Sequence, residues 1–249
     1  MSVPLLKYLS MTEATTGNKE KLIERMFTIG AHFGYSKSRR HPSTKPYIFG
    51  AKNKVEIFDL EKTSDLLVGA QAFVAKLASE GKKIVFVGGK NEAHEAVVSG
   101  AKAIGMPYAS ARWIGGTFSN FVQIRKRMNR LEELKSDRAK GELAKKYTKK
   151  EQLLIDREID RLEGNFAGLV GLTELPAALF VVDPKKEHIA VAEALQARVP
   201  IIALMNSDCD ARDIAYPIVA NDATSLSIKF FVEEIVSAYK EGAKTKKAE

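Results

Sequence analysis

Cysteine is nearly missing: Cys209 is the single one in 249 residues, so no internal disulfide can staple the chain, and a reducing compartment is the natural setting. No apolar run approaches the roughly 18 residues that a membrane span needs. The apolar stretch from Met1 to Ser10 has only Lys7 as a positive charge and no small-residue cleavage pattern, a poor match to a signal peptide. Eight Pro and 17 Gly are ordinary usage, which excludes collagen-like and low-complexity classes. Several chemical signatures are absent too. Neither G-x-G-x-x-G nor G-x-x-x-x-G-K-[ST] occurs, there is no G-x-S-x-G, and no two-Cys or H-E-x-x-H spacing fixes a metal.

What is present is a hydrophobic fraction of 45%, enough for a core, and a surplus of 39 basic over 31 acidic side chains that gives +8 and a pI near 9.4. The surplus is unevenly placed. Ser36 to Lys54 holds six Lys/Arg and no acid; Arg125 to Lys150 holds eleven against four; Lys240 to Glu249 holds four against two. The rest of the chain is therefore mildly acidic. One Lys-rich run reads equally well as a solvated helix face, but three on an acidic body are a footprint for a polyanion. The basic stretches lack the Trp/Phe/Leu face that buries in a membrane interface, so nucleic acid is the expected partner and no membrane is.

Hydrophobic periodicity gives the architecture. A helix is expected from near Asn18 to Gly30, then mostly loop to Asn53 with a short strand at Tyr47-Ile48-Phe49. Val55 to Leu60 reads as a strand and Lys62 to Glu80 as a helix. Lys83 to Gly88 is a continuous apolar strand, buried on both faces; Glu92 to Ile104 is a helix, and Tyr108 to Trp113 a short strand. From Phe118 to Phe166 the strand signal stops. Phe121, Ile124, Met128 and Leu131 form one helical stripe and Ile155, Ile159, Leu162 and Phe166 another, with Thr148-Lys149-Lys150-Glu151 fitting a capping box between them. That predicts an antiparallel, coiled-coil-like hairpin that projects. Strands at Ala178 to Asp183, Pro200 to Met205 and Tyr216 to Val219 then alternate with a helix at Glu187 to Ala197 and a last one capped by Asn221-Asp222. The fold class is α/β, with a three-layer, mostly parallel sheet. The expected domains are an extension over 1–20, a discontinuous α/β domain over 21–117 and 167–240, the hairpin over 118–166, and a basic tail over 241–249.

Candidate chemistry is sparse. Gly88-Gly89-Lys90-Asn91 joins a strand to a helix, where backbone N–H groups could hold a nucleotide phosphate, though such a turn is more often only a turn. Lys90 at the helix mouth could equally meet an RNA phosphate. In Arg112-Trp113-Ile114-Gly115-Gly116-Thr117, Trp113 reads as core, and Arg112 as either a phosphate fork or the partner of a carboxylate. Asp183, His188, Asp208, Cys209, Asp210 and Asp213 should gather at the carboxyl edge of the sheet, but loop acids commonly cap turns, and no metal or other cofactor is expected. His32 reads as a packing histidine, and His41, beside Arg39 and Arg40, as part of an RNA-facing loop.

Taken in order, His32-Phe33-Gly34, Lys45 to Gly50, Asp59 to Thr63, Phe86-Val87-Gly88, Arg112 to Asn120, Pro176 to Asp183 and Asn206-Ser207-Asp208 resemble the small-subunit ribosomal protein S-two (uS2) family of bacterial or organellar type, from about Leu22 to Tyr239. The resemblance implies a flavodoxin-like α/β domain with a protruding coiled-coil hairpin, and a non-enzymatic role in the small ribosomal subunit. It further implies a cytoplasmic or organellar ribosome setting, binding to small-subunit rRNA beside neighbouring ribosomal proteins, and help in docking the OB-repeat protein S-one. Three positions depart from the family pattern: Tyr35 where a second His is usual, His41 where an aromatic follows the basic pair, and Ala220 where Gly precedes Asn221-Asp222. The residues expected to face RNA are Lys37, Arg39, Arg40, His41 and Lys45 in the early loop, Lys90 and Arg112, and Arg125, Lys126, Arg127 and Arg130 at the hairpin base. Phosphate neutralisation should give affinity and shape should give register, since A-form RNA hides its base edges.

Overall fold

The computed structural model describes residues 19–246, so the expected extension lies outside the described residues except for 19 and 20, which open α1 (residues 19–28). Five strands, β4 (Ile84–Val87), β5 (Tyr108–Ala109), β6 (Ala178–Val182), β7 (Ile201–Met205) and β8 (Tyr216–Val219), form a parallel sheet in the order β5-β4-β6-β7-β8. Numbered within that sheet this is 2-1-3-4-5, the flavodoxin-like doubly wound order, whose topological switch point falls between β4 and β6.

The central strands are apolar throughout because both faces are covered. Ile84 and Phe86 of β4 and Phe180 and Val182 of β6 point into one core with α2 (Leu60–Ser79), α3 (Asn91–Ala103) and α8 (Ser225–Lys246). The alternate residues Val85, Val87, Leu179 and Val181 point into a second core with α7 (His188–Gln196) and the inserted helices. A period of two thus sorts one continuous apolar run between two layers. Phe86 and Phe180 are both fully buried, with ring centroids 5.2 Å apart, and each contributes roughly 2–3 kcal/mol through burial.

The insert consists of α4 (Phe121–Ala139), a short α5 (Glu142–Lys146) where a plain turn is expected, and α6 (Lys149–Phe166). Ile124, Met128, Leu131 and Leu134 of α4 pack with Ile159, Leu162 and Phe166 of α6, and these share a core with the sheet. Lys135–Glu163 and Arg138–Asp156 pair across the two helices at 2.8 and 3.6 Å, on exposed surface where such pairs add little. Glu151 accepts the Thr148 backbone N–H at 2.8 Å, closing the start of α6 as the capping-box spacing predicts.

Four expectations need correction. Val55–Phe58 (β3) is not part of the parallel sheet: with β1 (Phe33–Ser36) and β2 (Ile48–Lys52) it forms a separate antiparallel sheet, order β1-β3-β2. β1 itself lies where only loop is expected, because its pairing to β3 is made at long range and leaves no local periodicity. The strand at Tyr108 ends at Ala109, and the chain turns away so that Trp113 can enter the core edge-on to Phe118, centroids 5.0 Å apart. Finally, α8 runs on to Lys246, into the segment expected to be a tail, and Tyr239 Oη donates to Lys82 O at 3.0 Å. Lys82 precedes β4, so the third basic segment, as far as it is described, starts by the amino edge of the sheet, away from the loops that follow the strands.

Candidate nucleic-acid interface

Doubly wound folds bind ligands outside the carboxyl ends of the strands at the switch point. In this chain that crevice is filled from within. Glu187, in the turn before α7, accepts the Gly89 N–H at 3.1 Å, the amide a phosphate would seek. A side chain at Gly89 would collide with this carboxylate and with Ala111 O, so glycine is required for the close approach. Lys90 Nζ lies 2.6 Å from Asp183 Oδ2 and 3.0 Å from Asp222 Oδ2, with only 12% of its side chain exposed. The two carboxylates hold the Lys90 ammonium well above its ordinary pKa despite burial, while burial pushes Asp222 up to about 6 and Glu187 above the usual carboxylate range. Burial and the surrounding acids likewise push the Cys209 thiol far up, which leaves it a packing group. Among the described residues, no three His, Cys, Asp or Glu side chains are grouped to hold a metal ion.

The early loop is two 3-10 turns, Lys37–Arg39 and Pro42–Tyr47, tied down from beneath. Ser207 O, just beyond β7, accepts both the His41 N–H and Thr44 Oγ1 at 2.8 Å. Arg40 Nη1 donates to Glu56 Oε1 of β3 at 3.0 Å; Glu56 is 1% exposed, and Arg40 is its only cation among the described residues. The His41 ring is engaged with Ser43, its Nδ1 lying 2.8 Å from Ser43 Oγ. With those contacts made, Lys37, Arg39 and Lys45 stand exposed, and the Arg39 guanidinium rests 5.5 Å from the Tyr35 ring centroid.

The second basic region hangs on another buried acid. Glu193 of α7 accepts the N–H groups of Gly116 and of Phe118, the latter at 2.9 Å, and so fixes the turn that launches α4. Gly116 sits at φ +93°, the left-handed region that the tight turn needs. Arg125 points inward, donating to Val170 O at 2.7 Å and Leu172 O at 3.0 Å, which clamps α4 to the chain returning from α6. Lys126, Arg127 and Arg130 are exposed around a cleft of about 510 Å³ that also touches Gln123, Ile124 and Glu158. Arg112 is exposed and has no charged partner among the described residues.

The eleven residues expected to face RNA therefore divide by geometry. Lys37, Arg39, Lys45, Arg112, Lys126, Arg127 and Arg130 present charge outward, whereas Arg40, His41, Lys90 and Arg125 hold the scaffold together. They hang on two anchor points: the loop is held beyond β7 and the insert beyond β5, three strand positions apart across the sheet, or about 14 Å. Sequence reasoning missed the acids Glu56, Glu187, Glu193 and Asp222 that organise both patches. Asp222 was read only as a helix cap, and Glu193 left a trace as the one acid in the helix His188–Gln196, whose interior is otherwise apolar.

A doubly wound α/β scaffold with its ligand crevice filled by its own side chains, and its free cations on a loop and a helical insert, defines a class that presents charge rather than one that holds a nucleotide. Comparison with known sequences narrows the class. Residues 26–242 match the family described as Ribosomal protein S2. The chain is 40% identical over 226 residues to the small ribosomal subunit protein uS2 of Chloroflexus aggregans, covering 91% of this chain and 94% of that protein. The uS2 of Chloroflexus aurantiacus is 40% identical over 222 residues (89% and 93%), and that of Geotalea uraniireducens 38% over 224 residues (90% and 87%). The chain belongs to the ribosomal protein S2 family, a structural and non-enzymatic class.

Proposed function

We propose that this chain, a structural constituent of the small ribosomal subunit as its family is, binds small-subunit rRNA at two phosphate-contacting patches held apart by the parallel sheet. The observation that carries the reading is the division of the cations. Arg40, Lys90 and Arg125 satisfy internal acceptors, while Arg39, Arg127 and Arg130 are held outward on anchored backbone with no strong internal partner; the Arg130–Glu133 pair is 3.9 Å apart and exposed. Outward cations release counterions when phosphates replace them, and a rigid spacing between two patches favours one RNA shape over others. The protein works in the cytoplasm as part of the ribosome, and no helix among the described residues is long and apolar enough to cross a membrane. Docking of the OB-repeat protein S-one and contact with neighbouring subunit proteins belong to the same reading. The family resemblance supports them, together with the exposed apolar side chains Tyr147, Leu153 and Leu154 on the insert.

Binding to small-subunit rRNA across a salt series tests the reading. The logarithm of affinity should fall linearly with the logarithm of salt, with a slope of several units. Binding that is insensitive to salt would rule out phosphate neutralisation as its basis.

A further inference from the structure

We infer that Lys90 is a positioning residue for the cationic loop, acting through Asp222 and Asn206 on Tyr35 and never touching RNA itself. The inference rests on the proposed rRNA-binding role of that loop. A continuous path of polar contacts runs from the mouth of α3 to β1. Lys90 Nζ meets Asp222 Oδ2 at 3.0 Å, and Asn206 Nδ2 donates to Asp222 Oδ1 at 3.0 Å. Asn206 Oδ1 then accepts the N–H groups of Tyr35 at 3.1 Å and Ser207 at 2.8 Å. Ser207 Oγ is a second acceptor for Tyr35 N–H at 3.2 Å, and Ser207 O holds His41 and Thr44. Tyr35 in turn carries Arg39 against its ring.

The path has a polarity that makes Lys90 matter. An amide side chain can present either its oxygen or its NH₂ to a neighbour. An ionised Asp222 accepts only, so it fixes the Asn206 NH₂ toward itself and the Asn206 oxygen toward the Tyr35 N–H. A neutral Asp222 can donate, which permits the flipped amide, and a flipped amide sets NH₂ against N–H and breaks the link to β1. Asp222 and Asn206 are almost wholly buried, at 0 and 1% exposure, so water does not hold the carboxylate ionised. Lys90 does, with Asp183 as its second anchor at 2.6 Å. A lysine already placed between two carboxylates and largely covered is poorly placed to neutralise a phosphate as well.

The test uses the full chain as Lys90→Met and Asn206→Ala, with amide hydrogen exchange and a salt series of small-subunit rRNA binding on each. The inference predicts that exchange at Tyr35 and His41 quickens about tenfold or more in both variants, while the core amides of Phe86 and Leu179 stay as protected as in the parent. It also predicts affinity lowered about threefold to tenfold, the cost of ordering a loosened loop, with the salt slope unchanged. Unchanged protection at Tyr35 in Lys90→Met overturns the inference, whatever Asn206→Ala shows, as does a slope shallower by about one in Lys90→Met, which would make Lys90 a phosphate contact. If core amides also quicken in Lys90→Met, Lys90→Arg decides: it keeps a cation between Asp183 and Asp222, so restored protection at Tyr35 supports the inference and continued loss overturns it. A parent protein whose rRNA binding ignores salt would sink the proposed function, and the exchange result would still decide the relay.

Discussion

Arg39 and Arg40 are adjacent in sequence and identical in chemistry, yet the fold gives them opposite tasks. Arg40 turns inward to a buried carboxylate on β3, and Arg39 turns outward over an aromatic ring. The same contrast recurs on the insert, where Arg125 clamps two carbonyl groups and Arg127, one helical residue pair further on, is exposed. A basic run therefore mixes two populations: cations that hold backbone in place and cations that the held backbone displays. Net charge counts both, while affinity for a polyanion should follow only the second.

The contrast can be broken most severely at the carboxylate that supports the insert. Glu193→Ala leaves the Gly116 and Phe118 N–H groups without their acceptor, and should cost about 3 kcal/mol, read as a lower urea midpoint. Arg40→Ala strands the buried Glu56 carboxylate and should cost about 2–3 kcal/mol, while leaving the salt slope of rRNA binding nearly intact in the fraction that folds. Asp222 sharpens the comparison through pH. Its folded pKa near 6 lies above the ordinary carboxylate value, so between those values the native state binds the proton more tightly than the unfolded chain does. The group's contribution to stability is thus greatest below about pH 4 and is lost as pH rises toward 6; Lys90 stays charged throughout that window. The parent should gain on the order of 1–2 kcal/mol on acidification relative to Asp222→Asn, measured as urea midpoints at pH 4.5 and 7. Asp210, held below the usual carboxylate range by Arg212, works the other way and gives up its contribution as pH falls. The smallest effect is expected at Arg39→Ala, where thermal stability should move by less than about 0.5 kcal/mol while the salt slope drops by close to one.

The parallel sheet was legible because each of its strands carries its own signal: Ile84–Val87 and Ala178–Val182 are apolar runs bounded by turns, and the helices between them keep their stripes. The hairpin was legible for the same local reason. The antiparallel sheet was not, since Phe33–Ser36 gains strand geometry only by pairing with Val55–Phe58 across some twenty intervening residues. The two kinds of cation were hidden more deeply. Lys90 faces inward because it meets Asp183 and Asp222, which lie roughly 90 and 130 positions further along the chain, and nothing in the residues around it encodes that meeting. The family motifs pointed to the right scaffold without separating the residues that build it from those that it displays.

The division of the cations is tested most directly by two triple variants compared in one salt series against small-subunit rRNA. Arg39→Gln, Arg127→Gln and Arg130→Gln together should flatten the log–log slope by about three, with little loss of stability. Lys90→Met, Arg40→Met and Arg125→Met together should lower stability and affinity while keeping the slope of the parent. Equal flattening by both sets would contradict the account, because it would mean that the inward cations meet phosphate as readily as the outward ones.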